Sequence, residues 1–288
     1  MSWLGADIGG TSARLGLFSE LDPQALQQTT EFKICNDYER DLDTLIRSFR
    51  QLAGGQVIAG IGIGIPGHLS DDMSGLQSSA HLGDWCGHDL QADLESALDC
   101  RVVLENDADA GALAEAEFAG HDTDFWYLTW GTGIGGAVVT IGSEGYRLVG
   151  AEPGHHIISV DTGSVICACG RSGCFEAFVG GKGIEARTGR PAAEASAEIW
   201  EEVIGWMGIG IYNLIRIYRT PLLILGGGIT EKQPQLVAGI ETAANNLLGS
   251  YQQLEIRTPH FGSANNLYGA LAMMSPAKSA EITNRSRQ

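Results

Sequence analysis

Residues 3–18 have the sequence WLGADIGGTSARLGLF, in which two apolar runs flank a Gly-Gly-Thr segment at residues 9–11. Two apolar runs joined by a glycine-rich segment predict a β-hairpin. The turn offers backbone N–H groups and the Thr11 hydroxyl, which suit phosphate oxygens, and Asp7 is suited to a hydrated Mg²⁺. A Gly-Gly turn that only reverses the chain is the alternative, and residues elsewhere in the sequence decide between the two.

The hairpin plan recurs at residues 125–141, which have the sequence FWYLTWGTGIGGAVVTI. Each half also contains an apolar run that ends in glycine, at residues 57–67 and 221–228. This weak internal duplication predicts two halves of similar construction. If two such halves faced each other across a cleft, both Gly/Thr turns would surround one phosphate chain.

The spacing of apolar residues predicts helices in several other segments. These segments are residues 39–53, 194–219, 234–249 and 265–274. A polar loop is predicted at residues 76–90, where Trp85 either stacks on a sugar or packs in the core.

Residues 101–105 (RVVLE) predict a short strand that leads into Asn106 and Asp107, and an Ala-rich helix follows at residues 108–119. Ligands bind at the carboxyl ends of strands in α/β sheets, so Asp107 is a candidate catalytic residue. Asp is also a favoured helix N-cap, and the two roles are compatible.

A candidate metal site lies within residues 152–176. Its members are His155, Cys167, Cys169 and Cys174. One imidazole and three thiolates form the ligand set of a closed tetrahedral zinc site, and Gly170 and Gly173 favour a tight fold that brings the sulfurs together. The flanking Glu152 and Glu176 are suited to accept hydrogen bonds from a polar ligand. We therefore interpret the segment as a zinc-stiffened substrate clamp.

The simpler alternative is a zinc ion that only stabilises the loop and has no role in substrate binding. A disulfide framework fits less well, because Cys167 and Cys169 are too close in sequence to pair comfortably. The other cysteines form no spaced framework, and we expect them to be buried thiols: Cys35, Cys86 and Cys100.

The chain has 288 residues and a formal net charge of −17 at pH 7. Its length leaves room for two domains. The negative charge argues against nucleic acid or an anionic membrane as a partner, since both demand clustered Lys and Arg. Because the sequence has neither an apolar run of about 20 residues nor a signal sequence, and its cysteines form no framework, it predicts a cytoplasmic protein.

Several short motifs occur in one order along the chain. They are residues 7–11 (DIGGT), 65–67 (IPG), 106–107 (ND), 131–136 (GTGIGG), 152–155 (EPGH), 167–176 (CACGRSGCFE) and 225–228 (LGGG). Together they resemble the ROK family of sugar kinases and sugar-responsive repressors, most closely its bacterial glucokinase-like members. The resemblance extends from Trp3 to Met274. Each glycine motif is common by itself, whereas the cysteine motif with its preceding Gly-His is highly specific.

The resemblance implies an α/β protein with the actin-like ATPase (ribonuclease H-like) fold, two domains and a nucleotide/sugar cleft. Residues 1–108 and 263–275 would form a smaller N-terminal α/β domain, and residues 109–262 a larger C-terminal domain that carries the zinc loop. Residues 276–288 would be a frayed tail. The resemblance also implies phosphorylation of a hexose by ATP with Mg²⁺, a structural Zn²⁺ and a homodimer.

Carried over position by position, the motifs imply roles for individual residues. Asp107 is the implied general base. The implied sugar ligands are Asn106, Glu152, His155, Glu176 and Gly67. The implied zinc ligands are His155, Cys167, Cys169 and Cys174. The implied ligands of the nucleotide and Mg²⁺ are Asp7, Gly9, Gly10, Thr11, Arg14, Gly131, Thr132, Gly133, Gly227 and Gly228.

Three segments depart from the family pattern. Residues 81–85 are HLGDW, where many members have Asn-Leu-Pro-Gly-Trp in a loop that helps to select the sugar. Gly180 and Gly181 replace the serine or similar residue that often follows the last glutamate. The connection over residues 182–197 is shorter than usual by about one helix, which affects a dimer surface but no motif.

The leading hypothesis is an ATP-dependent hexose kinase that converts glucose to glucose 6-phosphate, with N-acetylmannosamine or N-acetylglucosamine as the next substrates. A non-catalytic sugar-sensing regulator is the alternative from another class. Regulators of that branch carry an N-terminal winged-helix segment, whereas the phosphate hairpin here begins at residue 3. A zinc-stapled binding protein with an inactive phosphate site is disfavoured by Asp107 and by both Gly/Thr turns.

Overall fold

The structure is a computed structural model that describes residues 1–143, 145–160 and 165–275. The chain divides into two compact units. The first unit combines Met1–Gly120 with the chain from Ala264 onward, and the second unit is His121–Ser263. The predicted frayed tail at residues 276–288 lies outside the described residues.

Strands and helices make up most of the described chain. The strands are β1 (Ser2–Ile8), β2 (Ser12–Phe18), β3 (Leu26–Lys33), β4 (Ile58–Ile65), β5 (His68–Leu69), β6 (Leu76–Ser78), β7 (Val102–Asn106), β8 (Phe125–Trp130), β9 (Ile134–Gly142), β10 (Gly145–Ala151), β11 (Leu222–Gly226) and β12 (Glu255–Arg257). The helices are α1 (Tyr38–Ala53), α2 (Leu90–Leu98), α3 (Asp107–Phe118), α4 (Phe175–Val179), α5 (Gly181–Thr188), α6 (Ala197–Tyr218), α7 (Gly228–Lys232), α8 (Leu236–Leu248) and α9 (Asn265–Ala272). In the part of the chain that the structure describes, no helix combines the length and apolarity needed to cross a membrane.

Five strands of the first unit form one sheet in the order β3-β2-β1-β4-β7. The neighbours β1, β2 and β3 are antiparallel, whereas β1, β4 and β7 run parallel. Asp7 of β1 pairs in register with Gly64 of β4, and Ile65 of β4 pairs with Asn106 of β7. The carboxyl ends of the three parallel strands therefore lie at the same edge of this sheet.

The second unit repeats this plan. Its sheet has the order β10-β9-β8-β11-β12, with an antiparallel β8-β9-β10 meander and parallel β8, β11 and β12. The strand order and the strand directions match those of the first sheet one for one. The duplication predicted from the two hairpins is thus confirmed at the level of topology.

The core of the second unit lies between its sheet and helices α6 and α8. The inward face of α6 buries Trp200, Val203, Met207, Ile211 and Leu214. Four of the six residues whose spacing predicted a core helix are buried here (Val203, Met207, Ile211 and Leu214), whereas the other two, Ile199 and Trp206, are half-buried at its edge, so the core helix is confirmed. The other predicted helices are present as α1, α8 and α9.

Helix α9 packs on both α3 and the first sheet. The helix lies close to β4 because Gly62 has no side chain: a Cβ there would lie 2.7 Å from the carbonyl carbon of Ala270. The buried Asn265 Nδ2 donates a hydrogen bond to the carbonyl oxygen of Gly111 over 2.8 Å. These contacts hold α3, which begins at Asp107, against the sheet.

The prediction of buried thiols outside the metal cluster is wrong. Cys35 is exposed, and Cys86 and Cys100 are half-buried. Cys35 lies in the connection between β3 and α1, where its N–H and its thiol both donate to Asp41 Oδ1. A polar partner near the surface therefore replaces the apolar surroundings that were expected.

Candidate functional site

The first part of the candidate site lies at the carboxyl edge of the first sheet. Asp7 is near the end of β1, and its Oδ1 accepts a hydrogen bond from Asn266 Nδ2 over 3.4 Å. The Gly9 N–H closes the β1–β2 turn by donating to the carbonyl oxygen of Ser12 over 2.8 Å. Thr11 is exposed in this turn. The predicted hairpin with its Gly-Gly-Thr turn is therefore present beside Asp7.

Asn106 joins two parts of this edge. Its Oδ1 accepts hydrogen bonds from the N–H groups of Ala108 and Asp109, over 2.8 and 3.4 Å, and its Nδ2 donates to the carbonyl oxygen of Gly67 over 3.0 Å. Asn106 is therefore the N-cap of α3. The alternative role of Asp107 as the cap is wrong, because β7 continues through Asn106 and leaves Asp107 as the first helical residue.

Asp107 is half-buried on the first turn of α3. Its Oδ1 accepts a hydrogen bond from the Ala108 N–H over 3.0 Å. Gly64 of β4 allows α3 to start close to the sheet, since a Cβ at this position would lie 3.7 Å from the Cα of Asp107. The positive end of a helix dipole favours a negative charge at such a position.

The loop that contains Trp85 is anchored to α1 and to the segment before it. Trp85 is 2% exposed, and its Nε1 donates to Asp41 Oδ2 over 3.3 Å. Asp84 Oδ2 accepts a hydrogen bond from the Tyr38 N–H over 2.9 Å. The indole therefore packs in the core, which decides between the two roles considered for Trp85.

The same loop lies against the first Gly/Thr turn. A Cβ at Gly10 would lie 2.6 Å from the Cβ of His81, so the histidine side chain packs over that glycine. Ser79 Oγ donates to the carbonyl oxygen of Pro66 and accepts from the His81 N–H, over 2.8 and 3.3 Å. His81 was noted in the sequence only as a departure from the family pattern, and its contact with the turn was not predicted.

The second Gly/Thr turn follows β8 in the second unit. Its Gly131 N–H donates to the carbonyl oxygen of Gly133 over 3.0 Å. Gly227 has φ 94°, and a Cβ there would lie 2.7 Å from the carbonyl carbon of Trp130. The N–H of Gly228 lies near Gly131, with 3.9 Å between its nitrogen and a Cβ built at Gly131. The two glycine segments that were predicted to bind nucleotide are therefore neighbours.

Both segments line a cavity of about 560 Å³. Small-molecule sites in proteins have volumes of roughly 300–1,000 Å³. The walls include Gly131, Thr132, Lys182, Trp200, Gly228 and Lys232. The two lysines were not predicted, because a lysine on a surface helix carries no distinctive local signal. The position of Lys182 directly after Gly180 and Gly181 was the one sequence feature that could have identified it as a site residue.

The predicted metal ligands come together in the second unit. Ligand atoms of His155, Cys167, Cys169 and Cys174 all lie within 4.8 Å of one another. The Sγ atoms of Cys169 and Cys174 are 3.6 Å apart, and Cys167 Sγ is 3.5 Å from His155 Nδ1. Tetrahedral zinc, with bonds of about 2.3 Å to sulfur and about 2.0 Å to nitrogen, separates its ligand atoms by roughly 3.5–3.8 Å. The donor set and its spacing therefore fit a structural zinc ion.

The glycines between the sulfurs have the conformations that a tight loop requires. Gly170 and Gly173 have φ angles of 82° and 80°, which residues with side chains rarely adopt. The Gly170 N–H donates to the carbonyl oxygen of Cys167 over 2.9 Å, and the Gly173 carbonyl oxygen accepts from Ile158 N–H over 2.9 Å. The tight fold inferred from the sequence is therefore present.

The three thiols differ in their electrostatic surroundings. Burial raises the pKa of the Cys167 and Cys174 thiols, whereas the backbone N–H of Arg171 lowers the pKa of Cys169. The two buried thiols therefore carry protons when no metal is bound. Metal binding requires thiolates and would release these protons.

The two histidines beside the cluster are distinguished by their partners. His155 directs Nδ1 towards Cys167, and its Nε2 lies 3.9 Å from Glu152 Oε2. A carboxylate next to the second nitrogen is typical of metal-bound histidine. His156 instead directs Nδ1 to the carbonyl oxygen of Pro153 over 2.6 Å, and burial lowers its pKa. His155 is therefore the histidine of the cluster.

Glu176, the other predicted sugar-binding carboxylate, is half-buried on α4. Its Oε2 accepts a hydrogen bond from the Ile134 N–H over 2.9 Å, and its Oε1 lies 3.7 Å from Cys167 Sγ. The carboxylate thus contacts both the end of the second Gly/Thr turn and the cysteine cluster. The sequence did not predict the contact with the turn.

Two relatives of known activity match most of the chain. The sequence is 29% identical over 267 residues to a glucokinase of Thermotoga maritima, a match that covers 79% of this chain and 82% of the relative. It is 30% identical over 266 residues to an N-acetyl-D-glucosamine kinase of Yersinia pseudotuberculosis, a match that covers 80% of this chain and 84% of the relative.

Solved structures match the fold. A ROK family glucokinase from Streptomyces griseus, in complex with glucose and AMPPNP, superposes with a TM-score of 0.77 at 24% identity, covering 95% of this chain and 99% of that chain. A ROK hexokinase from Thermus thermophilus superposes with a TM-score of 0.73 at 27% identity, covering 94% and 97%. The predicted α/β, actin-like fold is thereby confirmed. Since residues 3–277 also match the ROK family as a whole, the chain belongs to the ROK family.

Proposed function

We propose that this protein is an ATP-dependent hexose kinase that transfers the γ-phosphoryl group to a sugar hydroxyl, with glucose as the leading substrate. The observation that carries the proposal is the carboxyl edge of the first sheet, where Asp7, Asn106 and Asp107 accompany a Gly-Gly-Thr turn. Membership of the ROK family, together with relatives that are sugar kinases, supports it.

In this proposal Asp107 is the catalytic carboxylate. A sugar hydroxyl is too weakly acidic to attack ATP unaided, and a positioned base typically contributes about 10²–10⁴-fold to the rate. Because the transition state of phosphoryl transfer is loose, orientation of the hydroxyl matters more than early removal of its proton. A carboxylate on the first turn of a helix that packs against both the sheet and α9 suits that orienting role.

The proposed sugar ligands are the polar groups next to the catalytic carboxylate and those of the metal loop. They are Asn106, Glu152, His155, Glu176 and Gly67. Asn106 has the capacity for this role, since an amide nitrogen carries two hydrogens and the bond to the Gly67 carbonyl uses one of them. The carboxylates of Glu152 and Glu176 would accept hydrogen bonds from sugar hydroxyls.

The phosphates of ATP are assigned to the two Gly/Thr turns, at residues 9–11 and 131–133, because backbone N–H groups in such turns suit phosphate oxygens. Asp7 is the proposed ligand of a hydrated Mg²⁺, which would neutralise charge on the phosphates. Arg14 pairs directly with Asp7 across the β1–β2 hairpin, so both side chains project from the same face of the sheet. The glycines at the end of β11 and after it would lie against the adenosine, in the cavity that Gly228 lines.

The zinc ion is proposed to be structural. When bound, it would fix the loop that carries Glu152 and His155, so that these side chains meet the sugar in one arrangement. The cluster of three cysteines and His155 leaves no position in a four-coordinate shell for a substrate. The chemistry of phosphoryl transfer is therefore assigned to Asp107 and to the phosphate-binding turns.

An N-acetylhexosamine is the second candidate substrate, and a specific observation favours it. The N-acetyl-D-glucosamine kinase of Yersinia pseudotuberculosis is as similar to this chain as the glucokinase of Thermotoga maritima is. The loop at residues 81–85 also affects the choice of substrate, because it departs from the family pattern in a segment that helps to select the sugar. Glucose stays the leading proposal because the motifs resemble most closely the glucokinase-like branch.

The experiment that tests the proposal measures ATP consumption in a coupled assay over a panel of hexoses and N-acetylhexosamines. Asp107→Asn should abolish sugar-dependent turnover while sugar binding stays measurable by calorimetry. Asp43→Asn, on the exposed face of α1, is the matched control and should keep full turnover. Wild-type turnover by Asp107→Asn would refute the assignment of the base.

The panel also separates the enzyme from a sugar-sensing regulator. A kinase consumes ATP with at least one sugar and forms a sugar phosphate in equal amount. Binding of a sugar by calorimetry, with no ATP consumption for any member of the panel, would refute the kinase proposal and favour the regulator.

A further inference from the structure

Two segments of the second unit are tied together by hydrogen bonds. The first is the second Gly/Thr turn (residues 131–133) together with Ile134 at the start of β9, and the second is the post-cysteine segment (residues 175–182). The Gly181 N–H donates to the carbonyl oxygen of Gly131 over 2.8 Å, and the Lys182 N–H donates to that of Thr132 over 3.1 Å. The post-cysteine segment therefore supports the backbone of the turn from outside.

A side chain of the post-cysteine segment closes the other end of the turn. Glu176 Oε2 accepts a hydrogen bond from the Ile134 N–H over 2.9 Å. The carboxylate occupies the space next to Gly133, where a Cβ would lie 2.9 Å from Glu176 Cδ. The conformation of the turn therefore depends both on the charge of this carboxylate, which accepts the hydrogen bond, and on its volume.

Glu176 is in turn held beside the metal cluster. Helix α4 begins directly after Cys174, which is its N-cap, and the Ala177 N–H donates to the Cys174 carbonyl oxygen over 3.0 Å. Glu176 Oε1 lies 3.7 Å from Cys167 Sγ. Because that thiol becomes a thiolate when metal binds and then no longer donates to the carboxylate, the metal would hold Glu176 through Cys174, whose fixed position sets the start of α4.

Two glycines in the post-cysteine segment permit this close fit. A Cβ at Gly180 would lie 3.1 Å from the carbonyl oxygen of Thr132, and a Cβ at Gly181 would lie 3.1 Å from that of Gly131. Both distances are shorter than ordinary van der Waals contacts. The glycines that replace a serine-like residue of the family pattern thus let the segment approach the turn closely.

We propose that Glu176 is a positioning residue for the nucleotide, in addition to its proposed contact with the sugar. It holds the second Gly/Thr turn in its phosphate-binding form, and the Cys₃His cluster holds Glu176. The inference rests on the proposed function, which assigns this turn to the phosphates of ATP. Since coupling between two binding sites is reciprocal in free energy, bound metal strengthens nucleotide binding and bound nucleotide strengthens metal binding by the same factor.

The first experiment measures the affinity of zinc-loaded protein for MgADP by calorimetry. Glu176→Ala leaves the Ile134 N–H without its charged partner, and we expect MgADP binding to weaken by roughly 10-fold or more. Glu176→Gln keeps an oxygen that can accept from that N–H, so its MgADP affinity should stay within about threefold of the unmodified protein. Glu255→Ala is the control, because it removes an exposed carboxylate of the same unit that has no assigned ligand, and its MgADP affinity should be unchanged.

A second variant keeps the test decisive if Glu176→Ala does not fold. Gly133→Ala displaces the carboxylate sterically and leaves every charge in place, and it should weaken MgADP binding to a similar extent. MgADP affinity at the unmodified level in a folded Glu176→Ala or Gly133→Ala protein would overturn the positioning role. Failure of the unmodified protein to bind MgADP would instead refute the nucleotide site on which the inference rests.

The second experiment measures zinc affinity by equilibrium competition with a chromogenic chelator, followed by absorbance. Saturating MgADP should raise the zinc affinity of the unmodified protein several-fold, and it should have no such effect on Glu176→Ala. Equal zinc affinities with and without MgADP in the unmodified protein would overturn the link between the cluster and the turn. The readout depends on metal binding and needs no turnover.

Discussion

Substitution of Gly62 by alanine should destabilise the first unit. A Cβ at this position would lie 2.7 Å from the carbonyl carbon of Ala270 on α9. Carbon atoms in contact are normally about 3.5–4.0 Å apart, and the Ala270 carbonyl oxygen would lie closer still than its carbon, so β4 and α9 would have to separate by at least about 1 Å. Overpacking costs about 1–3 kcal/mol, and the upper end applies because the atoms in conflict belong to backbone. Reduced freedom of the unfolded chain offsets up to about 1 kcal/mol, which leaves about 2–3 kcal/mol.

Gly60→Ala on the same strand provides the matched control. A Cβ at Gly60 would meet Met274 Sδ at 2.8 Å and Trp3 Cζ3 at 3.1 Å. The end of a methionine side chain can rotate away, so the loss should stay below about 1 kcal/mol. Urea unfolding followed by circular dichroism measures both variants. With a slope of about 2 kcal/mol per M, the midpoint of the first unit should fall by about 1–1.5 M for Gly62→Ala and by less than about 0.5 M for Gly60→Ala.

Equal unfolding midpoints for the two variants would refute this reasoning, because the closest atom displaced belongs to backbone in Gly62→Ala and to the end of a flexible side chain in Gly60→Ala. A second readout connects the packing to function. Helix α9 contacts α3, whose first residue is Asp107, so separation of β4 and α9 should also disturb the proposed catalytic carboxylate. The kcat of folded Gly62→Ala should therefore fall more than that of Gly60→Ala.

Two further predictions concern the Trp85 loop and the metal cluster. Trp85→Phe removes the hydrogen bond to Asp41 and part of a buried ring. It should therefore lower the free energy of unfolding, measured by urea titration, by about 1–3 kcal/mol, while the KM for sugar changes little. A large rise in KM without loss of stability would contradict the assignment of Trp85 to the core. Removal of zinc by a chelator should add three thiols to those that react with a disulfide reagent, measured by absorbance, and an unchanged thiol count would show that no metal protects them. The three thiols are Cys167, Cys169 and Cys174.

Much of the fold was predictable because its signals are local. The hairpins at residues 3–18 and 125–141 follow from apolar runs around glycine turns, and α6 follows from the spacing of its apolar residues. The metal cluster was predictable for a related reason, since three cysteines within eight residues place their sulfurs near one another in any tight loop. The repeat of the hairpin and of the glycine-ended strand also predicted two halves of similar construction, and the strand orders of the two sheets match.

Features that depend on distant residues were not predictable. Whether Trp85 is buried depends on Asp41, which is 44 positions away and accepts the indole hydrogen bond. Asn106 and Asp107 are equally good helix caps by residue type, and the register of β7 with β4 decides that Asn106 is the cap. The contact of Glu176 with the second Gly/Thr turn spans 42 positions and has no sequence signature.

The net charge of −17 opposes the binding of a long anion, such as a nucleic acid, more than the binding of a single nucleotide. A long nucleic acid samples the whole surface, whereas charges farther than about 8 Å from a single nucleotide are largely screened at physiological salt. Near the proposed phosphate positions, Lys182 and Lys232 line the cavity, and Arg14 lies opposite Asp7 on the hairpin. Backbone N–H groups in the turns and a divalent cation add positive potential at the same places. The net charge is therefore compatible with the proposed binding of ATP at the two turns.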